Sequence, residues 1–480
     1  MRTTTPSPES ADAPGTDRWF LSTAPVVSAL VHLCVPMAAA MIVGAVYNVI
    51  NAGFIGSLHD DALLAAVTLG SPVLALVMAI GNVFGVGGGA LVSRLLGAAE
   101  RDGARTGEIR HVSAFALWGT VAVGALVGGV GLLLLDPLVS LLGADQAARH
   151  ATTTFVGVLL AGVPVLAAAV CLEQLVRAEG AARQVMTGLI ASTVANVAFD
   201  VLFILVLHRG VAGAALAVTL ANAVTVTYFA VWLTRNSTQT SLAPRWFTLS
   251  PAVLKPVLGV GIGTLLQSAF LIVTALVLNN LAAGYGDGPL AAMGVAVRIA
   301  QVPEFLVMGV TLGVLPLFAY AYGKGDRARL LSALRTSSVA VGGVALLFSA
   351  VVLLFRDSLL AVFLTDRAVL ALGVTVLAAQ LTAMIANGFT GLITSLFQAT
   401  GQALPATIMS VTQGVLFVPV VLLGNLWFGL PGIIWALTVT EVAVLGAGAV
   451  LLLTTRRAID RGLADGSPER AEEALAMAEG

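Results

Sequence analysis

Apolar and polar stretches alternate along this chain in a pattern that predicts membrane-spanning helices. Apolar runs occupy roughly 26–56, 62–93, 112–135, 151–176, 184–207 and 211–234, and six more lie near 256–283, 289–322, 331–355, 368–399, 405–424 and 430–455. Each is long enough to cross a bilayer, since ~20 apolar residues span ~30 Å of hydrocarbon. Short polar loops separate the runs within each set of six, and a longer polar connector, 236–255, separates the two sets. The expected organisation is a disordered leader (1–24), a six-helix lobe (25–235), the connector, a second six-helix lobe (256–455) and a charged tail (456–480). No small-residue cleavage site follows a short apolar core, so no signal peptide is expected.

Composition agrees with the pattern. The chain is 58% hydrophobic and 10% charged, against ~25% charged in an average soluble domain. Its net charge of −1 gives no reason to expect a nucleic-acid partner. Cys34 and Cys171 both fall in apolar runs and read as small buried residues, not as a disulfide or a metal pair. Loop arginines and lysines set the orientation. Nineteen of the 24 lie on the side that carries both termini and the Arg94–Arg110 loop, and four lie on the other. By the positive-inside rule both termini are cytoplasmic, in an inner (plasma) membrane protein.

Markers repeat in one order through the two halves. Leu64-Ala65-Ala66 returns as Leu290-Ala291-Ala292, Gly87 as Gly313 and Gly97 as Gly323. Ala178-Glu179-Gly180 returns as Ala399-Thr400-Gly401, and Gly210 and Gly213 as Gly429 and Gly432. Six spans per repeat leave the copies parallel, an arrangement that makes two rocking lobes. The glycine run Gly85, Gly87, Gly88 and Gly89 is no phosphate loop, because no lysine follows it; close helix packing accounts for it.

The fifth span carries the sharpest chemistry. Asp200 sits inside it, with Asn196 one turn earlier on the same helix face. A carboxylate at the centre of a membrane helix costs ~2.5–3.5 kcal/mol on insertion scales, so its presence points to a proton or cation site. The bland reading is a polar contact between packed helices. Glu304 in the eighth span and Glu441 in the twelfth carry the same cost and are candidates for a substrate path, with Arg298, Gln267 and Asn387. Amides in membrane helices more often bond neighbouring helices, and His32 in the first span reads as packing.

These residues resemble a family. Pro36, Tyr47-Asn48-Val49-Ile50-Asn51, Phe54-Ile55-Gly56, Leu64-Ala65-Ala66, Gly85 and Ser93-Arg94 followed by Gly97 look like the first two helices of MATE (multidrug and toxic compound extrusion) transporters. Leu290-Ala291-Ala292, Arg298, Gly309, Pro316 and Tyr322-Gly323 agree in the second half, as do Gln398-Ala399, Gly401 and Phe428-Gly429 with Gly432. The resemblance covers about 25–455. It implies an all-α, twelve-helix, V-shaped, two-lobed antiporter, a monomer without cofactor. Such a protein exports organic, often cationic or amphipathic, compounds in exchange for protons, with sodium as the alternative ion.

It further implies that Asn196 and Asp200 match the asparagine and aspartate which the bacterial branch uses for cation coupling. Asn51 stands where the first helix usually carries an aspartate, and Val218 where the sixth usually carries a threonine, with Thr219 next. The other branch keeps acids in helices seven and ten, where this chain offers Gln267 and Asn387. The coupling set is therefore Asp200, Asn196, Asn51 and Thr219, in the N-terminal lobe. The alternatives are a major-facilitator-type carrier, for which the loop from Gly97 to Arg105 is the argument, and a lipid-linked oligosaccharide flippase. A flippase needs several intramembrane bases for pyrophosphate, and Arg298 is alone. No buried His/Asp/Glu or Ser/His/Asp set supports an enzyme.

Overall fold

The computed structural model describes residues 13–57, 61–101, 106–143, 146–363 and 367–464. They form helices α1 (Asp17–Ser22), α2 (Val26–Ser57), α3 (Asp61–Ala99), α4 (Thr106–Leu133), α5 (Leu135–Leu141), α6 (Gln146–Ala178) and α7 (Ala182–Asp200). Then follow α8 (Gly210–Asn236), α9 (Pro251–Ala283), α10 (Asp287–Lys324), α11 (Arg327–Leu354), α12 (Arg356–Ala361), α13 (Arg367–Ala399), α14 (Ala403–Phe428) and α15 (Leu430–Ala464). The described residues include no strand. Twelve helices are long and apolar enough to cross a membrane: all but α1, α5 and α12. Their bounds follow the apolar runs of the sequence.

The chain divides into two compact units. One holds Val43–Gly261 and the residues up to Trp19; the other holds Phe20–Ile42 and everything from Ile262 on. In the first, α6 is central and packs on α3, α4 and α8, while α7 packs on α8; in the second, α13 meets α10, α11 and α15, and α14 meets α15. The pairing scheme of the first six spans thus recurs in the second six. Apolar side chains from α3, α6 and α8, among them Val73, Val77, Phe155, Leu159, Val163 and Ala214, close the core of the first unit.

The unit boundaries depart from the lobes expected at 25–235 and 256–455, and glycine contacts give the reason. A Cβ on Gly87 would meet the Val257 carbonyl oxygen at 2.0 Å, and one on Gly261 would meet that of Val83 at 1.9 Å. The head of α9 therefore lies backbone-to-backbone against α3, which counts it into the first unit. The second unit repeats this: Cβ atoms on Gly309 and Gly313 would strike the backbones of Ala38 and Cys34. There the head of α2 lies on α10. Small residues let membrane helices approach this closely, and Gly87 and Gly313 are a matched pair of the internal repeat.

The leader is helical over Asp17–Ser22, contrary to the expectation of disorder through residue 24. Leu21 is fully buried, and Arg329 donates to the carbonyls of Phe20, Leu21 and Ala24 at 2.8 Å each. His32 stacks on Phe20 at 3.9 Å, the packing role read from the sequence. At the other end, α15 runs unbroken through Arg456 and Arg457 to Ala464.

The connector is fastened to the first unit. Glu179, just beyond α6, is buried and accepts from the Ser237 hydroxyl and from Thr240 Oγ1, the latter at 2.8 Å. Trp118 Nε1 donates to Leu242 O at 2.9 Å, and Ser113 Oγ donates to Ser241 O at 3.1 Å. Burial pushes the Glu179 carboxyl above its ordinary value of 4.5, while the Ser237 and Thr240 hydroxyls and the Arg18 charge pull it part of the way back. The folded chain therefore binds this proton more tightly than the unfolded chain does. The Glu179 contribution is most favourable at acid pH and declines as pH rises above the unfolded-state value, until the folded-state group has ionised. Glu179→Gln should remove that decline, so its thermal melting should fall less than the wild type's between about pH 5 and pH 8. An unchanged difference between the two pH values would refute this.

Candidate functional site

Asp200 is the last α-helical residue of α7. The chain continues as one π-helical stretch, Val201–Val206, before α8 begins. Such widened turns inside membrane helices mark functional sites often. The π register is visible in the bond from Leu207 N–H to Leu202 O at 2.9 Å. His208, two residues past the stretch, has φ +48° although it is not glycine, so the backbone turns sharply where α7 hands over to α8.

Asp200 and Asn196 are both buried, at 6% and 5% exposure. The Asn196 amide orientation that satisfies both its ends places its nitrogen 2.7 Å from Asp200 Oδ2 and its oxygen 3.2 Å from the Val218 backbone nitrogen. The two amide hydrogens then divide between Asp200 and the hydroxyl oxygen of Tyr47. Four groups from α2, α7 and α8 thus form one chain: Tyr47, Asn196, Asp200 and the backbone of Val218. Its hydrogen-bond donor, Asn196, is neutral, and among the described residues no Arg, Lys or second carboxylate pairs with it.

The other expected coupling residues fare differently. Thr219 sits beside Val218, but its hydroxyl donates to Ala215 O at 2.9 Å and its side chain presses on α6, where a Cβ on Gly162 would meet it at 2.7 Å. It is not joined to Asp200. The side chain of Asn51 lies outside the described residues. Tyr47, by contrast, is a member of the set that sequence reasoning missed. In the sequence its signal is a lone phenol in an apolar span.

In the second unit, Glu304 and Arg298 are exposed on α10, Gln267 is exposed on α9 and Asn387 is half-buried on α13. No ion pair joins Arg298 to Glu304, in keeping with their six-residue separation, about 240° of helix. Glu441 differs from these. It is 2% exposed, so it is enclosed and does not line an open path in this state. The Gln413 amide donates to its Oε1, and its Oε2 has no partner.

A family model described as MatE matches residues 36–202 and 260–423. The multidrug export protein MepA of Staphylococcus aureus (strain MRSA252) is 32% identical over 444 residues, covering 92% of this chain and 97% of the relative. The protein of the same name from Staphylococcus saprophyticus is 32% identical over 445 residues, with the same coverage. Among solved structures, a MATE transporter in its bent conformation superposes with TM-score 0.84 at 23% identity, covering 93% of this chain and 99% of that one. An outward-facing multidrug resistance MATE family transporter gives 0.83 at 23%, covering 93% and 98%. A MOP superfamily transporter from Pyrococcus furiosus gives 0.82 at 23%, covering 93% and 99%. At that identity the structures speak to the fold alone.

Proposed function

The chain belongs to the MATE family of membrane transporters, and from that premise we propose that it is an antiporter exporting organic compounds in exchange for protons. The substrates are cationic or amphipathic molecules, the class that suits a multidrug exporter such as the MepA relatives. Family membership sets aside the major-facilitator and flippase readings, and it makes the chain a transporter, not an enzyme. The observation that carries the coupling mechanism is Asp200, a buried acid inside a membrane helix with no counter-charge, hydrogen-bonded by Asn196.

Proton exchange there redistributes bonds across three helices. The ionised carboxylate accepts from the Asn196 amide. A protonated Asp200 donates instead: the amide then turns its oxygen toward the acid, accepts from the Tyr47 hydroxyl where it had donated to it, and releases the Val218 N–H. Protonation of α7 is then felt on α2 and α8. Two hydrogen-bond arrangements, selected by one proton, supply the differential free energy that alternating access requires. In the second unit, Glu304, Gln267, Arg298 and Asn387 contribute polar groups to the substrate path, with Glu304 the natural partner for a cation.

The orientation proposed is multi-pass in the plasma membrane with both termini cytoplasmic, supported by the 19-to-4 asymmetry of loop bases. A single cysteine at Thr238, an exposed connector position, should resist an impermeant maleimide in intact cells and react once the membrane is opened. Labelling from outside intact cells would reverse the assignment. Export itself is tested in an efflux-deficient host exposed to a panel of lipophilic cations. Expression of the chain should raise tolerance to several, and unchanged tolerance to all, with inserted protein present, would refute the function.

A further inference from the structure

We propose that Glu441, served by Glu304, is a second proton-carrying site that lies wholly within the second unit and adds a proton to the cycle that Asp200 gates. It rests on the antiporter reading above. Glu441 lies midway along the membrane-crossing part of α15 and is 2% exposed. One carboxyl oxygen accepts from Gln413 on α14, and the other is buried with no hydrogen-bond partner. The charged groups facing it are few. From α10, the Glu304 charge opposes its ionisation; Arg298 is exposed and unpaired with Glu304. Helix α14 carries no charged residue, and α13 carries one, Arg367, at its first position.

Among the described residues, therefore, no cation compensates an ionised Glu441. A buried carboxylate with a lone oxygen and an acid neighbour is far costlier than the neutral acid, so the enclosed state is the proton-loaded one. The orphaned Oε2 is the atom that carries the proton. We assign the route to Glu304, which stands on α10 immediately after Pro303 and whose charge acts on Glu441. A proton from water binds the Glu304 carboxylate and passes to Glu441 Oε2, directly or through one water, which regenerates the Glu304 carboxylate. Release runs in reverse, with no electrons moved and one proton exchanged.

The site is no symmetry copy of the first. At the offset relating Ala178-Glu179-Gly180 to Ala399-Thr400-Gly401, Asp200 falls on Val421, which is fully buried and apolar. At the offset relating Gly213 to Gly432, Glu441 falls on Asn222. Each unit thus carries its acid on a different helix of the repeat. Asp200 is bonded through Asn196 to other helices and controls the switch; Glu441 is bonded to Gln413 alone and contributes driving force.

The test is the proton count per substrate, read from the largest gradient the protein sustains. Wild-type protein in proteoliposomes, with the membrane potential clamped at zero, is given a pH difference of one unit, and ethidium serves as the monovalent organic cation. At zero net flux each exchanged proton contributes about a tenfold ethidium ratio. The wild type should reach about 100-fold and Glu441→Gln about tenfold, from the same relation. A wild-type limit near tenfold, or a Glu441→Gln limit equal to the wild type's, overturns the inference while leaving antiport intact. Wild-type protein that moves no ethidium under any gradient overturns the antiport reading first and this inference with it. Because the wild-type limit needs no variant, the inference stays exposed even if Glu441→Gln fails to insert.

Discussion

Asp200→Asn is expected to insert and fold like the native chain and to lose uphill efflux completely. The substitution keeps the size and planarity of the side chain, and its amide oxygen can still accept from Asn196, now 2.7 Å from Oδ2. What disappears is the one group in this set that gains and loses a proton. Removing a carboxylate from a membrane helix relieves a cost of ~2.5–3.5 kcal/mol on insertion scales, so protein yield should hold or rise. Without a titrating group, Asn196 has no reason to change partners, and the two hydrogen-bond arrangements cease to depend on pH. Efflux against a gradient should fall to that of empty membranes, while downhill leak through the protein survives. Dye efflux from energised cells, normalised to inserted protein, measures this. Native efflux rates from correctly inserted Asp200→Asn protein would remove Asp200 from the mechanism.

Local spacing made part of this site legible. Asn196 and Asp200 are four residues apart on one helix, and a helix brings such residues to one face whatever the rest of the chain does. The twelve spans were legible for a related reason: a bilayer imposes a length and an apolar composition on each helix independently. Tyr47 was not legible as a partner, because 149 residues separate it from Asn196 and only tertiary packing joins them. Thr219 shows the converse. A hydroxyl stands near the expected position, but a threonine inside a helix readily bonds the carbonyl four residues back, and Ala215 takes it.

The bounds of the compact units differ from the stretches between polar connectors for another physical reason. Polar connectors mark where the chain leaves the membrane, whereas packing decides to which body a helix belongs. Val26–Ser57 and Pro251–Ala283 are unbroken helices whose heads lie against α10 and α3 of different units from their tails. The repeated glycines recorded that arrangement in the sequence, yet a glycine says only that something comes close, not what. The enclosure of Glu441 was hidden likewise, since an acid in an apolar run looks alike whether it faces a path or a neighbouring amide.

Transport in inverted vesicles should follow an imposed pH gradient with no sodium present. A sodium ion is a hard cation that needs several oxygen ligands around it. The atoms near Asp200 are poorly placed to provide them. Asn196 presents its nitrogen to the carboxylate and its oxygen to the Val218 N–H, Thr219 bonds Ala215, and the first-helix position that usually bears an acid is Asn51. Sodium would therefore have to turn the amide and still find ligands beyond the carboxylate itself. A proton needs one acid, and a donor already in place at 2.7 Å shows how that acid is held when ionised. Replacing sodium with choline should leave uptake unchanged. Collapsing a one-unit pH gradient should remove a driving ratio of about tenfold for each proton exchanged, and uptake should stop at equilibrium. Uptake that requires a sodium gradient and ignores the pH gradient would overturn proton coupling, and it would place the missing oxygen ligands among groups that turn toward Asp200 in another state.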